Sequence, residues 1–91
     1  MAIVGTITVT TAGTAVQSPK SGSVKAVLFK ASSSNTGAIY VGDSSVSSSN
    51  GVELQPGAAI QMAFEGYERL EDWYADADDN NDRVDFIGDN S

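Results

Sequence analysis

Between Lys25 and Met62 the chain reads KAVLFKASSSNTGAIYVGDSSVSSSNGVELQPGAAIQM. Short apolar runs (VLF, AIYV, VEL, AIQM) are cut by clusters of serine, asparagine and glycine. Runs of this length, bounded by residues that favour turns, predict strands joined by short connections, and hence an antiparallel β domain. This stretch constrains the fold more tightly than any other part of the chain.

The flanks extend the pattern. Ile3 to Thr10 alternates, with Ile3, Ile7 and Val9 on one side and Thr6, Thr8 and Thr10 on the other. Stiff β-branched side chains at period two suit a half-buried pleat. Thr11-Ala12-Gly13 predicts a turn, and Thr14 to Gln17 a short second strand. Ser18-Pro19-Lys20-Ser21-Gly22 interrupts the ladder, because proline lacks a donor and glycine relaxes the backbone. Val24 to Ala31 is the expected third strand, with Val24, Ala26 and Leu28 on one face and Lys25, Val27 and Phe29 on the other. Apolar residues on both faces suggest a central strand or one covered by a neighbour.

Asn35-Thr36-Gly37 offers residues that tolerate positive φ at a tight turn, and Ala38 to Gly42 follows as a fourth strand. Asp43 to Gly51 is small and polar with Val46 as its one apolar anchor, which predicts an ordered surface loop. Val52 to Leu54 is a fifth strand. Gln55-Pro56-Gly57 fits a type II turn, proline setting φ at the second position and glycine accepting positive φ at the third. Ile60, Met62 and Phe64 alternate with Ala59, Gln61 and Ala63 in a sixth strand. Glu65 to Glu71 reads as a connector with Leu70 tucked inward. Asp72 to Ala77 is the seventh strand, presenting Trp73, Ala75 and Ala77 opposite Tyr74 and Asp76. Val84 to Ile87 is the eighth, with Gly88 to Ser91 as a tail.

About eight short strands without a helix predict an all-β fold, a single antiparallel β-sandwich with jelly-roll or Greek-key-like connections, occupying residues 1–91 as one domain. The expected core is Ile3, Ile7, Val9, Val27, Phe29, Ile39, Val41, Leu54, Ile60, Met62, Phe64, Trp73, Val84 and Phe86. A chain of 91 residues buries only ~60–65% of its unfolded surface. With no cysteine and no histidine, neither disulfides nor the usual zinc ligands supplement that core. Oligomerisation is the expected supplement.

The net charge of −7 argues against nucleic-acid binding, which needs a basic face to displace counterions. The distribution is uneven: before Asp43 the only charged side chains are Lys20, Lys25 and Lys30, and all twelve acids follow, against Arg69 and Arg83. The plain reading is two differently decorated surfaces; the sharper one is a polarised module with a basic end that docks on an acidic lattice. The MAIVGTITVTTAG start has neither a basic n-region nor a long apolar run, and no segment approaches the ~20 apolar residues of a membrane helix. The expectation is therefore no membrane partner and a cytoplasmic product before assembly.

Candidate chemistry is sparse. Serines abound, but no histidine activates one and no GxSxG elbow occurs. A Ser–Lys pair of Lys20 with Ser18 or Ser21 competes with the simpler reading of polar turn residues in solvent, which is preferred. No cleft is expected in which two carboxylates would act on a sugar. No glycine-rich phosphate cradle occurs. The sequence therefore predicts no catalytic residue, no cofactor and no enzyme.

Asp76-Ala77-Asp78-Asp79-Asn80-Asn81-Asp82 spaces oxygen ligands like the start of a calcium loop. However, Asn81 stands where that loop has its glycine, and Ile87 where it has its bidentate glutamate. A solvated hairpin loop is the preferred reading, with calcium as the alternative. Tyr40, Tyr67, Trp73 and Tyr74 raise a sugar-stacking platform against core or interface packing; Trp73 alternating with alanines favours packing.

NTGAIYVG (35–42), a serine-rich linker and then NGVELQPG (50–57) resemble small bacteriophage virion proteins, in which an NTG-x-IYVG strand precedes an NG-x-x-L-x-PG turn. The resemblance lies within the Lys25–Met62 stretch and includes no catalytic signature. It implies a β-sandwich with a structural role in a phage particle. The form it favours is a capsid decoration or cement protein on the capsid exterior, partnered by the major capsid protein and assembled as a homo-oligomer, with a trimer favoured. Head-fibre, connector or tail components and a glycan- or receptor-binding virion module are the alternatives.

Overall fold

The structure, a computed structural model, describes residues 2–90. Its strands are β1 (Ala2–Val9), β2 (Val16–Gln17), β3 (Ser23–Ala31), β4 (Ile39–Gly42), β5 (Val52–Leu54), β6 (Ala59–Arg69), β7 (Tyr74–Ala77) and β8 (Asp82–Asp89), with a 3-10 turn over Leu70–Asp72. They form two four-stranded sheets, ordered β1-β8-β3-β6 and β2-β7-β4-β5, and every neighbouring pair is antiparallel. The chain is an all-β sandwich. Its pairs are nested: β4 with β5, β3 with β6, β2 with β7 and β1 with β8. The β3–β8 and β4–β7 contacts then close each sheet.

Alternation places the core. Ile7 and Val9 of β1, Val27, Phe29 and Ala31 of β3, Val84 and Phe86 of β8, Ile39 and Val41 of β4, Leu54 of β5 and Ala75 and Ala77 of β7 meet between the sheets, all buried. Ile3, Ile60, Met62, Phe64 and Trp73 are partly buried around them, so all fourteen residues of the expected core lie in this one cluster. Phe29 is its aromatic centre, with ring centroids 5.5 Å from Trp73 and 5.8 Å from Phe86 in tilted contacts, an arrangement the aromatic quadrupole favours. Leu70 is fully buried, as its place in the connector suggested.

Two expectations about turns are met. Ala58 N donates to Gln55 O at 2.8 Å, and Gly57 has φ 84°, which is the type II turn that Pro56-Gly57 prescribes. The loop 43–51 is ordered around Val46. Asp43 Oδ1 accepts from Ser45 N and Oγ, Val46 N donates to Asp43 O, and Asn50 bonds Ser45 and Ser47. Val46 packs with Ala38 and Tyr40 in a second small cluster on the outer side of β4, so β4 is buried on both faces. Gly51 makes this possible. It has φ 97°, and a Cβ there would lie 2.6 Å from Val46 Cγ2 and 2.9 Å from Val41 O.

Several boundaries differ from the expectation, each for a local reason. β6 does not stop at Phe64 but runs to Arg69, because β3 keeps pairing with it beyond an irregularity. Ala26 faces Ala63 while Val24 faces Glu68, so residues 64–67 arch out opposite Lys25 alone. The same irregularity resets the phase of β3: Val24 is buried with Val27 and Phe29 rather than sharing a face with half-buried Ala26 and Leu28. β7 begins at Tyr74, since Asp72 belongs to the 3-10 turn. β2 keeps only Val16–Gln17, and β8 extends through Gly88 and Asp89, residues expected in the tail. Ser91, the end of that tail, lies outside the described residues, as does Met1. The NTG segment does not use positive φ; instead the Asn35 side chain accepts from Arg83 N and donates to Arg83 O, at 2.9 and 2.8 Å, prolonging the β3–β8 ladder.

Leu70 joins the 3-10 turn to the core, so Leu70→Ala is expected to lower unfolding free energy by ~2–5 kcal/mol in urea titration. A loss under ~1 kcal/mol would contradict this assignment of Leu70.

Candidate functional site

The acidic segment 76–82 links β7 in one sheet to β8 in the other, so it crosses the end of the sandwich and is not the hairpin loop expected. Asp76, Asn80 and Asp82 turn oxygens toward backbone donors. Asp76 Oδ1 accepts from Gly13 N at 2.9 Å and Ala77 N at 2.8 Å. Asp82 takes Thr36 N on Oδ1 and Gly37 N on Oδ2, both at 3.0 Å. Asn80 Oδ1 accepts from Ala12 N at 2.8 Å, and Asn81 N donates to Val9 O at 2.7 Å. Asp78 Oδ2 accepts from the Tyr40 hydroxyl at 3.0 Å. Asp76 and Asp82 are buried, where a carboxylate persists only if charge-assisted hydrogen bonds replace its water.

The alternating spacing that suggested calcium therefore serves another end. Asp76 and Asn80 fasten loop 10–15, Asp82 fastens 35–37, and Asp78 meets Tyr40 on the outer side of β4. Among the described residues no three acidic side chains converge in a way that could hold a metal. Asn81 is the one described non-glycine residue with positive φ, 69°, so it takes the left-handed place in the crossing that asparagine tolerates.

The other candidates separate as follows. The Ser18 hydroxyl donates to Lys20 O at 3.0 Å and accepts from Lys20 N at 3.2 Å. It is engaged with the backbone of its own turn, as a turn residue is, but it is buried rather than in solvent. The four aromatics do not form a platform. Tyr40 is buried under Val46, Tyr74 packs beside it, and Trp73 lies against Phe29 and Phe64. Only Tyr67 is open, on the β6 arch, 59% exposed.

Charge is sorted by sheet rather than by chain half. Because pairing is nested, strands of the lysine-bearing half lie beside strands of the acidic half: Lys30 faces Asp85 across β3–β8. A basic end made of the N-terminal half does not form. Instead Lys25, Lys30, Arg69 and Arg83 all stand on strands of the β1-β8-β3-β6 sheet, mixed with acids, while the strands of the other sheet carry no base.

That mixed sheet shows the surface that the periodicity argument left unassigned. Val4, Ile87, Leu28 and Gln61 are mutual cross-strand partners. They form a row across β1, β8, β3 and β6 on the outer face, and Val4 and Ile87 are 60% and 44% exposed. Two open depressions flank it, of about 520 and about 250 Å³. The signal was present in sequence as apolar residues on the wrong side of alternation: Val4 among threonines, Leu28 opposite Phe29, and Ile87 beside Phe86.

Comparison with known proteins finds no matching family model, no matching curated protein and no matching solved structure.

Three titrating groups bear on stability. The Tyr40 hydroxyl is pushed above its ordinary 10.0 by its hydrogen bond to Asp78, by burial and by the charges of Asp78, Glu53 and Asp76. Glu71 is held below 4.5 by hydrogen bonds from its own N–H and from Gly22 N, and Asp43 below 3.8 by the Ser45 hydroxyl and N–H. Lowered carboxyls add stability that is complete above their ordinary values and lost as pH falls through the folded ones. The raised phenol adds stability that is complete below 10.0 and lost as pH rises through its folded value. Melting temperature against pH should thus fall at both extremes. Glu71→Gln should flatten the acid limb and Tyr40→Phe the alkaline limb; unchanged limbs would contradict these attributions.

Asp82→Asn keeps the shape but turns an amide donor toward one of the two N–H groups. An isosteric loss of about 1–3 kcal/mol is expected, read by denaturant titration. A neutral outcome would mean that Asp82 does not fasten Thr36 and Gly37.

Proposed function

We propose that this chain is a structural protein of a bacteriophage particle, a decoration or cement protein that binds the outside of the capsid and stabilises contacts between capsid subunits. The observation that carries this reading is the state of β1. It is an edge strand of eight residues whose only strand neighbour among the described residues is β8. Its sequence AIVGTITV has no charge and no proline. Edge strands are normally blunted by charge, proline, bulges or short length. The opposite edge, β6, has such guards: the irregularity facing Lys25, and Glu65, Glu68 and Arg69. An open edge on one side only suits a protein that adds its strand to a partner sheet, or receives a strand from it, by main-chain hydrogen bonding.

Two further observations support the reading. The segments that resemble phage virion proteins, NTGAIYVG and NGVELQPG, meet in space: Ile39, Tyr40 and Val41 pair with Leu54, Glu53 and Val52. The resemblance thus rests on one folded unit, β4 and β5 with the loop closed over Val46. The nested strand order favours the jelly-roll form of the sandwich. The concavities are open and shallow, as expected of a part recognised by its surface rather than one that encloses a substrate. The partner on this reading is the major capsid protein, the site is the capsid exterior, and the trimer implied by the resemblance is the expected form on the lattice.

The test is the copy number of this chain in purified virions, by quantitative mass spectrometry against the major capsid protein. A decoration protein gives about one copy per capsid subunit or per local three-fold. A dozen copies or fewer would reassign it to a vertex fibre, connector or tail, and absence from the particle would overturn the reading.

A further inference from the structure

We infer that the outer face of the β1-β8-β3-β6 sheet is a self-association surface, occupied by the same face of a second copy of this chain through a two-fold axis. The inference stands on the sheet's register and does not depend on the capsid reading.

The face is ordered in cross-strand rows. Ile87 lies beside Leu28, and in the next row Asp85 lies beside Lys30. An axis parallel to the strands, in the interface plane between β8 and β3, sets Ile87 of one copy on Leu28 of the other, and Leu28 on Ile87. It also sets Asp85 on Lys30 and Lys30 on Asp85. Every contact is then made twice, as an isologous interface requires. The apolar pair falls next to the axis and two opposite-charge pairs form beside it. An axis running along β8 would instead put Asp85 on Asp85.

The side chains are prepared for this. Among the described residues the ion pair is Arg69–Asp72, and none joins Lys30 to Asp85 although they are direct cross-strand neighbours. Asp85 Oδ1 instead accepts from the Thr6 hydroxyl at 2.7 Å, which aims the carboxylate while Lys30 stays exposed. Ile87, 44% exposed, and half-buried Leu28 rim both depressions. A second copy's Ile87 and Leu28 would fill them.

Size is adequate. The two longer principal-axis extents of the molecule are 34 and 24 Å. A face of those dimensions is comparable with the ~800 Å² that each partner gives to a standard interface. Sheets stacked face to face pack about 10 Å apart. The second copy also covers apolar surface that a chain of 91 residues leaves to water, and β1 keeps its free edge.

Sedimentation equilibrium across a concentration series tests this on the full chain. Wild type should be a dimer in equilibrium with monomer. Ile87→Asp should be monomeric with an unchanged far-ultraviolet spectrum. Lys30→Asp and Asp85→Lys should each weaken dimerisation about tenfold or more, and the double reversal K30D/D85K should restore it. Since Lys30 and Asp85 are also neighbours within one chain, the melting temperature of dilute monomer is measured alongside. The inference requires the reversals to act on association beyond any change in the monomer. Monomeric wild type at every concentration, a trimer, a dimer that survives Ile87→Asp, or reversals without effect on association would each overturn it. Should Ile87→Asp fail to fold, the charge-reversal set decides alone.

Discussion

The fastening of the β7–β8 crossing to the loops around it is the interaction on which the rest of this structure depends. β8 lies between β1 and β3, and among the described residues β1 pairs with no other strand, while β2 pairs with none but β7. The first two strands of the chain therefore wait for the last two. The crossing that delivers β8 also supplies Asp76 to Gly13, Asn80 to Ala12, Asp82 to Thr36 and Gly37, and Asp78 to Tyr40. A carboxylate accepting backbone N–H groups is among the stronger hydrogen-bonding arrangements available to a small protein. Here it satisfies loop donors that no ladder reaches. This accounts for a dense run of acids at one end of a chain with so little core. Only two of them are buried, Asp76 and Asp82, and each of these accepts two backbone N–H bonds.

Much of the fold was legible because two rules with fixed periods dominate it. Alternation put Ile7, Val9, Val27, Phe29, Val84 and Phe86 on one side, and Pro56-Gly57 specified its turn. Leu70 and Val46 were readable as lone apolar residues in polar surroundings. The failures came where one strand's local conformation is set by another. Val24 is buried because β6 arches between Phe64 and Glu68, and nothing in SVKAVLFKA announces that reset. Gly88 and Asp89 looked like a tail because strand β8 owes its length to β1 and β3 on its two flanks. The Asn35-Thr36-Gly37 segment suggested backbone freedom, whereas its use is donation of two N–H groups to Asp82.

The candidate sites show the same division. The acidic run was visible, but composition cannot say whether carboxylates turn toward a cation or toward peptide N–H groups; only the positions of loops 10–15 and 35–37 decide that. Likewise the split of charges along the chain was plain, yet nested pairing brings opposite ends of the chain side by side. The arrangement in space became a mixed sheet backed by one without bases. What emerges is a module with one sheet whose strands carry no base and another whose strands carry an apolar row, an edge strand without charge and charges of both signs.

Amide hydrogen exchange followed by NMR tests the fastening most directly. If the crossing holds the end of the sandwich, the N–H groups of Ala12, Gly13, Thr36 and Gly37, all in connecting segments, should be protected almost as strongly as those of β8 and should open together with it. Exchange of these four amides at the rate of unstructured peptide, while β8 remains protected, would contradict the account and leave the acidic run an ordinary solvated loop.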